Sequence, residues 1–281
     1  MRVQPPRAEP ADGIARIDAV FARARAERRG VLIPYFCAGD PDPETSAALL
    51  ACAVRAGADL IELGIPYGDP LADGPTIAAA AQRALAHGTG IAQTLALAAG
   101  VRDAGGPPVL LFTYVNPLIQ YGIERFAEAL LRAGAAGAIV PDVPIEELGE
   151  LRAAFAPRGL ALPLLIAPNT PPERAIALAE ASDGFVYLVS RLGVTGARRE
   201  PDFDWIRERV SALRARVERP VAIGFGIATG AHVRTAVELA DAAIVGSALI
   251  DAYAGTRGAE AAARVDTLLA ELDAARRPAQ A

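Results

Sequence analysis

Lysine is absent from all 281 residues of this chain, so its 28 basic residues are arginines. That absence excludes a Schiff-base aldolase, a lysine-anchored pyridoxal enzyme and a Walker-type ATP site built from this chain. Histidine occurs twice. His87 precedes Gly88 at an expected helix end, where a cation suits the helix dipole, and His232 falls within a helical stretch, so both read as structural. Without a Ser/His/Asp set or a histidine cluster, acid–base work is left to carboxylates and tyrosines, and no metal site is expected. Cysteine also occurs twice, as Cys37 and Cys52, each among apolar or small residues. Two cysteines allow neither a disulfide framework nor a zinc site, and they read as buried free thiols in a reducing cytoplasm. The first dozen residues lack the apolar core of a signal peptide, and no apolar run reaches the roughly 20 residues that span a bilayer. The net charge of −5, with no arginine block paired to aromatics, argues against a nucleic-acid surface. It leaves an anionic substrate open, because backbone N–H groups can hold a phosphate.

Against these absences stands an apolar fraction of 52%. It is distributed as short runs, each followed by a helical pattern. The runs are 31–36, 58–62, 109–113, 138–140, 161–166, 185–189, 221–224 and 243–245. The helical patterns are 44–56, then 76–86 and 91–104, then 123–132, 145–155, 172–181, 203–215, 230–239 and a last stretch to the chain end. Strands that are apolar throughout are those buried on both faces of a parallel sheet. Eight such units over about 250 residues predict an α/β single (β/α)8 TIM barrel. The absence of Gly-x-Gly-x-x-Gly after the first strand weakens the dinucleotide-binding alternative. An extra N-terminal helix over 14–28 is expected to close the bottom of the barrel. The expected organisation is a mobile tail at 1–12, a catalytic barrel at 13–276 and a mobile tail at 277–281.

In a barrel, function sits at the C-terminal ends of the strands. The segment 62–77 places Glu62 at the end of a buried strand, with Asp69 and Asp73 on a Gly/Pro loop. A Glu ordinarily caps or faces solvent. One that follows a buried strand is raised in pKa and can carry a proton near neutral pH. Asp69 in Asp-Pro and Asp73 in Asp-Gly both suit turns, and Asp73 is assigned the structural role. Tyr114 and Asn116 follow strand three, and Asp142 follows strand four. Tyr114, Tyr187 and Phe225 read as core or pocket wall. Gly226, Gly246 and Ser247 cluster after strands seven and eight, and Gly196 on the loop after strand six can close over them. Each fits a tight turn or a helix cap, but at adjacent strand ends they form an expected phosphate site.

Together Pro34–Pro41, the 62–77 segment, Pro141-Asp142-Val143-Pro144 with Glu146-Glu147, Tyr187-Leu-Val-Ser, Gly193-Val-Thr-Gly, Gly224-Phe-Gly-Ile and Val245-Gly-Ser resemble the tryptophan synthase alpha chain over residues 13–275. The resemblance implies a cytoplasmic lyase of tryptophan biosynthesis. That enzyme cleaves indole-3-glycerol phosphate to indole and glyceraldehyde 3-phosphate by a retro-aldol step, with no cofactor of its own. It implies Glu62 as acid/base, Asp69 as partner of the indole nitrogen, and Thr195 as the residue closing the site over Asp69. Gly196, Gly226, Gly246 and Ser247 match phosphate-binding positions, and Tyr187 and Phe225 match the pocket wall. Asn116, Pro117 and Asp142 fall in segments that meet a pyridoxal-dependent beta chain in an alpha2beta2 tetramer. A free-standing lyase of specialised metabolism and a non-catalytic barrel that activates a partner are the alternatives. Two departures stand out: Gly68 where the family usually has Ser, which predicts a looser loop, and Cys37 where it commonly has Thr.

Overall fold

Short runs of Val, Ile, Leu and Ala near Gly or Pro form the parallel strands. The computed structural model describes residues 12–190 and 201–277. In chain order it contains α1 (Gly13–Ala26), β1 (Val31–Cys37), α2 (Pro43–Arg55), β2 (Ile61–Gly64), α3 (Pro75–Ala86), α4 (Ile91–Asp103) and β3 (Val109–Phe112). Then come α5 (Val115–Tyr121), α6 (Ile123–Ala133), β4 (Gly137–Ile139), α7 (Gly149–Phe155), β5 (Leu165–Ile166), α8 (Pro172–Ala181) and β6 (Val186–Val189). After the 191–200 segment follow α9 (Phe203–Arg214), β7 (Val221–Gly224), α10 (Gly230–Leu239), β8 (Ala242–Val245), α11 (Ser247–Tyr253) and α12 (Gly258–Ala275). Of the expected N-terminal tail only Asp12 is described, and its carboxylate caps α1 by accepting the N–H groups of Ile14 and Ala15. The rest of both expected tails, apart from Arg277, lies outside the described residues.

The eight strands form one parallel sheet in the order β4-β3-β2-β1-β8-β7-β6-β5. Its two outer strands meet through Gly137 and Ala161. Ala138 N–H donates to the Ala161 carbonyl at 3.0 Å, and Ala161 N–H donates to the Ala136 carbonyl at 2.9 Å. A Cβ at Gly137 would lie 2.0 Å from the Ala161 carbonyl oxygen, so only glycine lets the ring of strands close. This one bridge brings the two edges of the sheet together. The fifth strand, expected over 161–166, is reduced to two residues plus the Ala161 bridge, because Pro163 has no N–H to give the ladder.

One short helix was not expected, and the expected helical stretch at the chain end is divided in two. Pro117 argues for a loop after β3, yet it lies in the first turn of α5, where a missing N–H costs nothing. At the chain end α11 and α12 are separate, divided at Gly255, whose φ is +74°.

The bottom of the barrel is covered as expected. The α1 helix lays Phe21 against Phe185 with ring centroids 5.8 Å apart, and Ile14 N–H donates to the Gly159 carbonyl at 3.1 Å. Beside it, buried Asp59 accepts from Arg29 at 2.8 Å, from Leu32 N–H at 3.1 Å and from buried Arg276. One carboxylate thus ties the start of β1 and the approach to β2 to the end of α12. No single helix among the described residues is long and apolar enough to cross a membrane.

Candidate active site

Register in the sheet places Glu62 between Tyr35 on β1 and Leu110 on β3. Neighbouring strands hold its backbone on both sides, and its side chain is only 2% exposed. Its Oε2 has no hydrogen-bond partner among the described residues. Burial, and then the charge of Asp73, raise its pKa to about 8. A carboxyl in that state holds its proton at neutral pH and can give it up to a substrate.

The loop after β2 runs from Ile65 to Gly74 and is fastened at both ends of its tip. Tyr114, at the end of β3, accepts the Ala72 N–H at 3.1 Å and donates to the Asp73 carboxylate. The Tyr67 ring lies 5.5 Å from the Tyr114 ring, and its hydroxyl accepts from Asn116 at 3.1 Å. Asp73 is half-buried, and burial lifts its pKa to about 6 against the lowering effect of the Tyr114 bond. Its charge reaches Tyr35, Cys37, Glu62, Tyr114 and Tyr187, residues on four strand ends, so its carboxylate faces the barrel mouth. Asp69 acts on none of them and lies exposed at the loop's outer rim. The two loop acids therefore sit the other way round from the reading of the sequence: the structure brings Asp73, and not Asp69, to Glu62. The physical reason is the Tyr114 hydroxyl, which pulls the 72–73 end of the loop inward.

Across the mouth, Phe225 follows β7 with φ +67°, and Gly226 follows with φ +99°. A side chain in the left-handed region costs of order 1–3 kcal/mol. The hydrogen bond from Ser190 Oγ to the Phe225 carbonyl helps to hold it there. The Phe225 ring meets the Tyr187 ring edge-on at 5.9 Å. Tyr187 in turn covers Gly224, where a Cβ would lie 2.5 Å from its hydroxyl. After β8, Gly246 precedes the first turn of α11 with Ser247, and both are partly exposed. Gly246 has no positive φ, and an added Cβ would only touch the Tyr35 ring at 3.4–3.6 Å. Packing therefore leaves the turn open to a ligand, while its φ of −118° and ψ of −83° lie outside the α and β regions and favour a glycine there.

The expected partner-facing residues share one side of this mouth. Asp142 accepts the Val115 N–H with both oxygens, at 3.0 and 3.2 Å, and so caps α5. Asn116 and half-exposed Pro117 stand on that helix beside Ile119, which is 61% exposed, and Leu71 on the neighbouring loop is 72% exposed. A cleft of about 630 Å³ runs from Leu71 and Ala72 past Asp142 and Val143 to Phe225. Thr195 and Gly196 lie outside the described residues. No group of three or more metal-ligating side chains occurs among the described residues. The sequence reading missed Tyr114 as the fastener of the loop. Its only signal was position, an aromatic hydroxyl at the end of the strand next to Glu62.

The model of the tryptophan synthase alpha chain family matches residues 21–277. A tryptophan synthase alpha chain of Prochlorococcus marinus is 50% identical over 237 residues, covering 84% of this chain and 86% of its own. Another, from Gloeobacter violaceus, is 49% identical over 85% of this chain and 87% of its own. Among solved structures, the Mycobacterium tuberculosis tryptophan synthase superposes with a TM-score of 0.87 at 39% identity, covering 94% of this chain and 99% of that one. Sequence and structure agree over the whole barrel, from the helix beneath it to the strand ends that carry Glu62 and Gly226, and this chain belongs to the tryptophan synthase alpha chain family.

Proposed function

We propose that this chain cleaves indole-3-glycerol phosphate into indole and glyceraldehyde 3-phosphate, as the alpha component of a tryptophan synthase. The observation that carries the reading is Glu62, a buried carboxyl without a hydrogen-bond partner on Oε2, raised to about 8 and facing Asp73. Two carboxyls whose environments separate their pKa values divide the proton carrier from the charged stabiliser. At neutral pH Glu62 holds a proton and Asp73, near 6, is mostly ionised.

Glu62 protonates C3 of the indole ring, and the ring becomes the indoleninium cation. Asp73 stabilises the positive charge that develops at the ring nitrogen. The bond between C3 and the glycerol carbon then breaks, and its electron pair restores the aromatic ring. The glycerol hydroxyl on that carbon becomes the aldehyde and returns its proton to Glu62. Atoms and charge balance, and Glu62 ends as it began. Proton transfers complete the cycle without a cofactor, and each positioned transfer contributes about 10²–10⁴ in rate.

Tyr187 and Phe225 are assigned to the indole and glycerol wall, and the backbone at Gly226, Gly246 and Ser247 to the phosphate. Gly196 and Thr195 complete the site by resemblance alone. Asp69 is assigned to the rim that closes with substrate or partner. The beta-chain contact is assigned to Asn116, Pro117 and Asp142, and the exposed Leu71 and Ile119 beside them support it. A cytoplasmic setting belongs to the same reading. The test is indole release from indole-3-glycerol phosphate by the purified chain, with and without a beta chain. Release that rises on adding the beta chain is expected. High release indifferent to it would favour a free-standing lyase, and absence of release in both conditions would overturn the catalytic reading.

A further inference from the structure

Asp40 follows β1 and is 1% exposed, yet it touches none of the residues assigned above. Arg83 grips both of its oxygens, with Nε at 2.7 Å and Nη2 at 3.0 Å, and the Tyr253 hydroxyl donates to it at 2.7 Å. The elements that meet here are those that frame the mouth. Arg83 is on α3, the helix that continues from the Glu62–Asp73 loop, and Tyr253 ends α11, the helix that Gly246 and Ser247 open. A second tie, Thr76 Oγ1 to Asp251 Oδ1 at 3.3 Å, joins the same two helices. Tyr35 fills the space between, with its ring against Gly246 and its hydroxyl over Gly64. Arg83 itself is partly exposed, so the pair adds little net stability, but its bidentate geometry fixes relative position.

We propose that the Asp40–Arg83–Tyr253 knot is a positioning device that sets the Gly246–Ser247 turn against strand β2, and thereby the affinity for the phosphate end of the substrate. The inference rests on the reading of that turn as the phosphate holder. Tyr253 anchors the far end of a seven-residue helix, about 10 Å long. Releasing that end swings the Gly246–Ser247 turn. Glu62 stays in place, since the β1 and β3 ladders hold it. The knot therefore governs binding of the phosphate and not proton transfer.

Tyr253→Phe removes one hydroxyl, and Arg83→Lys keeps the charge but loses the bidentate fork. Each full-length variant is compared with the wild type on indole-3-glycerol phosphate and on the phosphate-free indole glycerol, and in calorimetric titration with inorganic phosphate. The expected result is a rise of about three- to tenfold in KM for the phosphorylated substrate and in the phosphate dissociation constant. The kcat and its pH profile stay in place, and kcat/KM on indole glycerol is unchanged. An unchanged KM and phosphate affinity, or equal losses on both substrates, overturns the inference. Should Arg83→Lys fail to fold, Tyr253→Phe decides alone. A wild type that cleaves substrate while Tyr253→Phe binds phosphate normally sinks the knot and leaves the function standing. A wild type that neither cleaves nor binds phosphate sinks both.

Discussion

Replacing Glu62 by Gln keeps the side chain's shape and removes its titration, so activity and stability should move in opposite directions. In the folded chain Glu62 titrates near pH 8, against 4.5 for an unperturbed Glu. Between those values the folded state keeps a proton that the unfolded chain has released. Stability therefore falls as pH rises through that window, by up to about 1.36 kcal/mol per pH step, and is constant above it. The full loss is about 5 kcal/mol at most, and local relaxation and water entry reduce it to about 2–3 kcal/mol. The Glu62→Gln variant carries no such loss. A buried amide has a cost of its own, but that cost does not change with pH, so the informative quantity is the pH dependence of the difference. Urea unfolding followed by the fluorescence of Trp205, the chain's one tryptophan, measures it from pH 5 to 9. The variant's stability relative to the wild type should rise by about 2–3 kcal/mol from pH 5 to pH 8, while indole release falls by about 10²–10⁴. A difference that is flat in pH would refute the raised pKa. Release within a few-fold of wild type would refute the proton-carrying role.

Three further outcomes test the remaining assignments. Asp73→Asn should lower the Glu62 pKa, moving the alkaline limb of the kcat–pH profile to lower pH, and should reduce turnover of the isolated chain more than Asp69→Asn. A larger loss for Asp69→Asn would return the nitrogen partner to the rim. Gly246→Ala fits without a protein clash and adds only local backbone strain, so KM should rise several-fold while the variant stays folded, and an unaltered KM would remove Gly246 from the phosphate site. Asp59→Ala leaves buried Arg276 without its Asp59 contact and should cost about 3–5 kcal/mol in urea unfolding; a loss under about 1 kcal/mol would show that the bottom of the barrel is held by packing alone.

The barrel was legible because its signal is repeated. Nearly every strand residue is buried and nearly every junction carries Gly or Pro, so errors at one unit did not spread to the next. Glu62 was legible for a related reason: a carboxylate on an apolar strand has nowhere exposed to go. The loop acids were not. Asp69 and Asp73 both sit in good turn sequences, and the contact that separates them comes from Tyr114, 42 residues beyond the Ala72 N–H it accepts. The Asp40 knot was equally invisible, since its partners lie 43 and 213 residues away. Local sequence reports what a residue prefers. It does not report which distant hydroxyl or guanidinium decides between two preferences that are equally good.

Glycine shows how structure sharpens such a choice, because the same residue type answers to different demands. At Gly137 the protein itself requires it, since any Cβ strikes the Ala161 backbone and the barrel cannot close. At Gly226 a φ of +99° requires it. At Gly68, which departs from the family's usual Ser, no atom lies within 4 Å of an added Cβ and φ is not positive. The fold makes no claim on that position, which lies beside Asp69 on the exposed rim. Gly68 adds backbone freedom to the segment that must close, and freedom lost on closing costs binding energy. The departure leaves Glu62 and Asp73 untouched, because Tyr114 has already fixed the inner end of the same loop, and on the proposed function its effect would fall on closure and coupling to a partner.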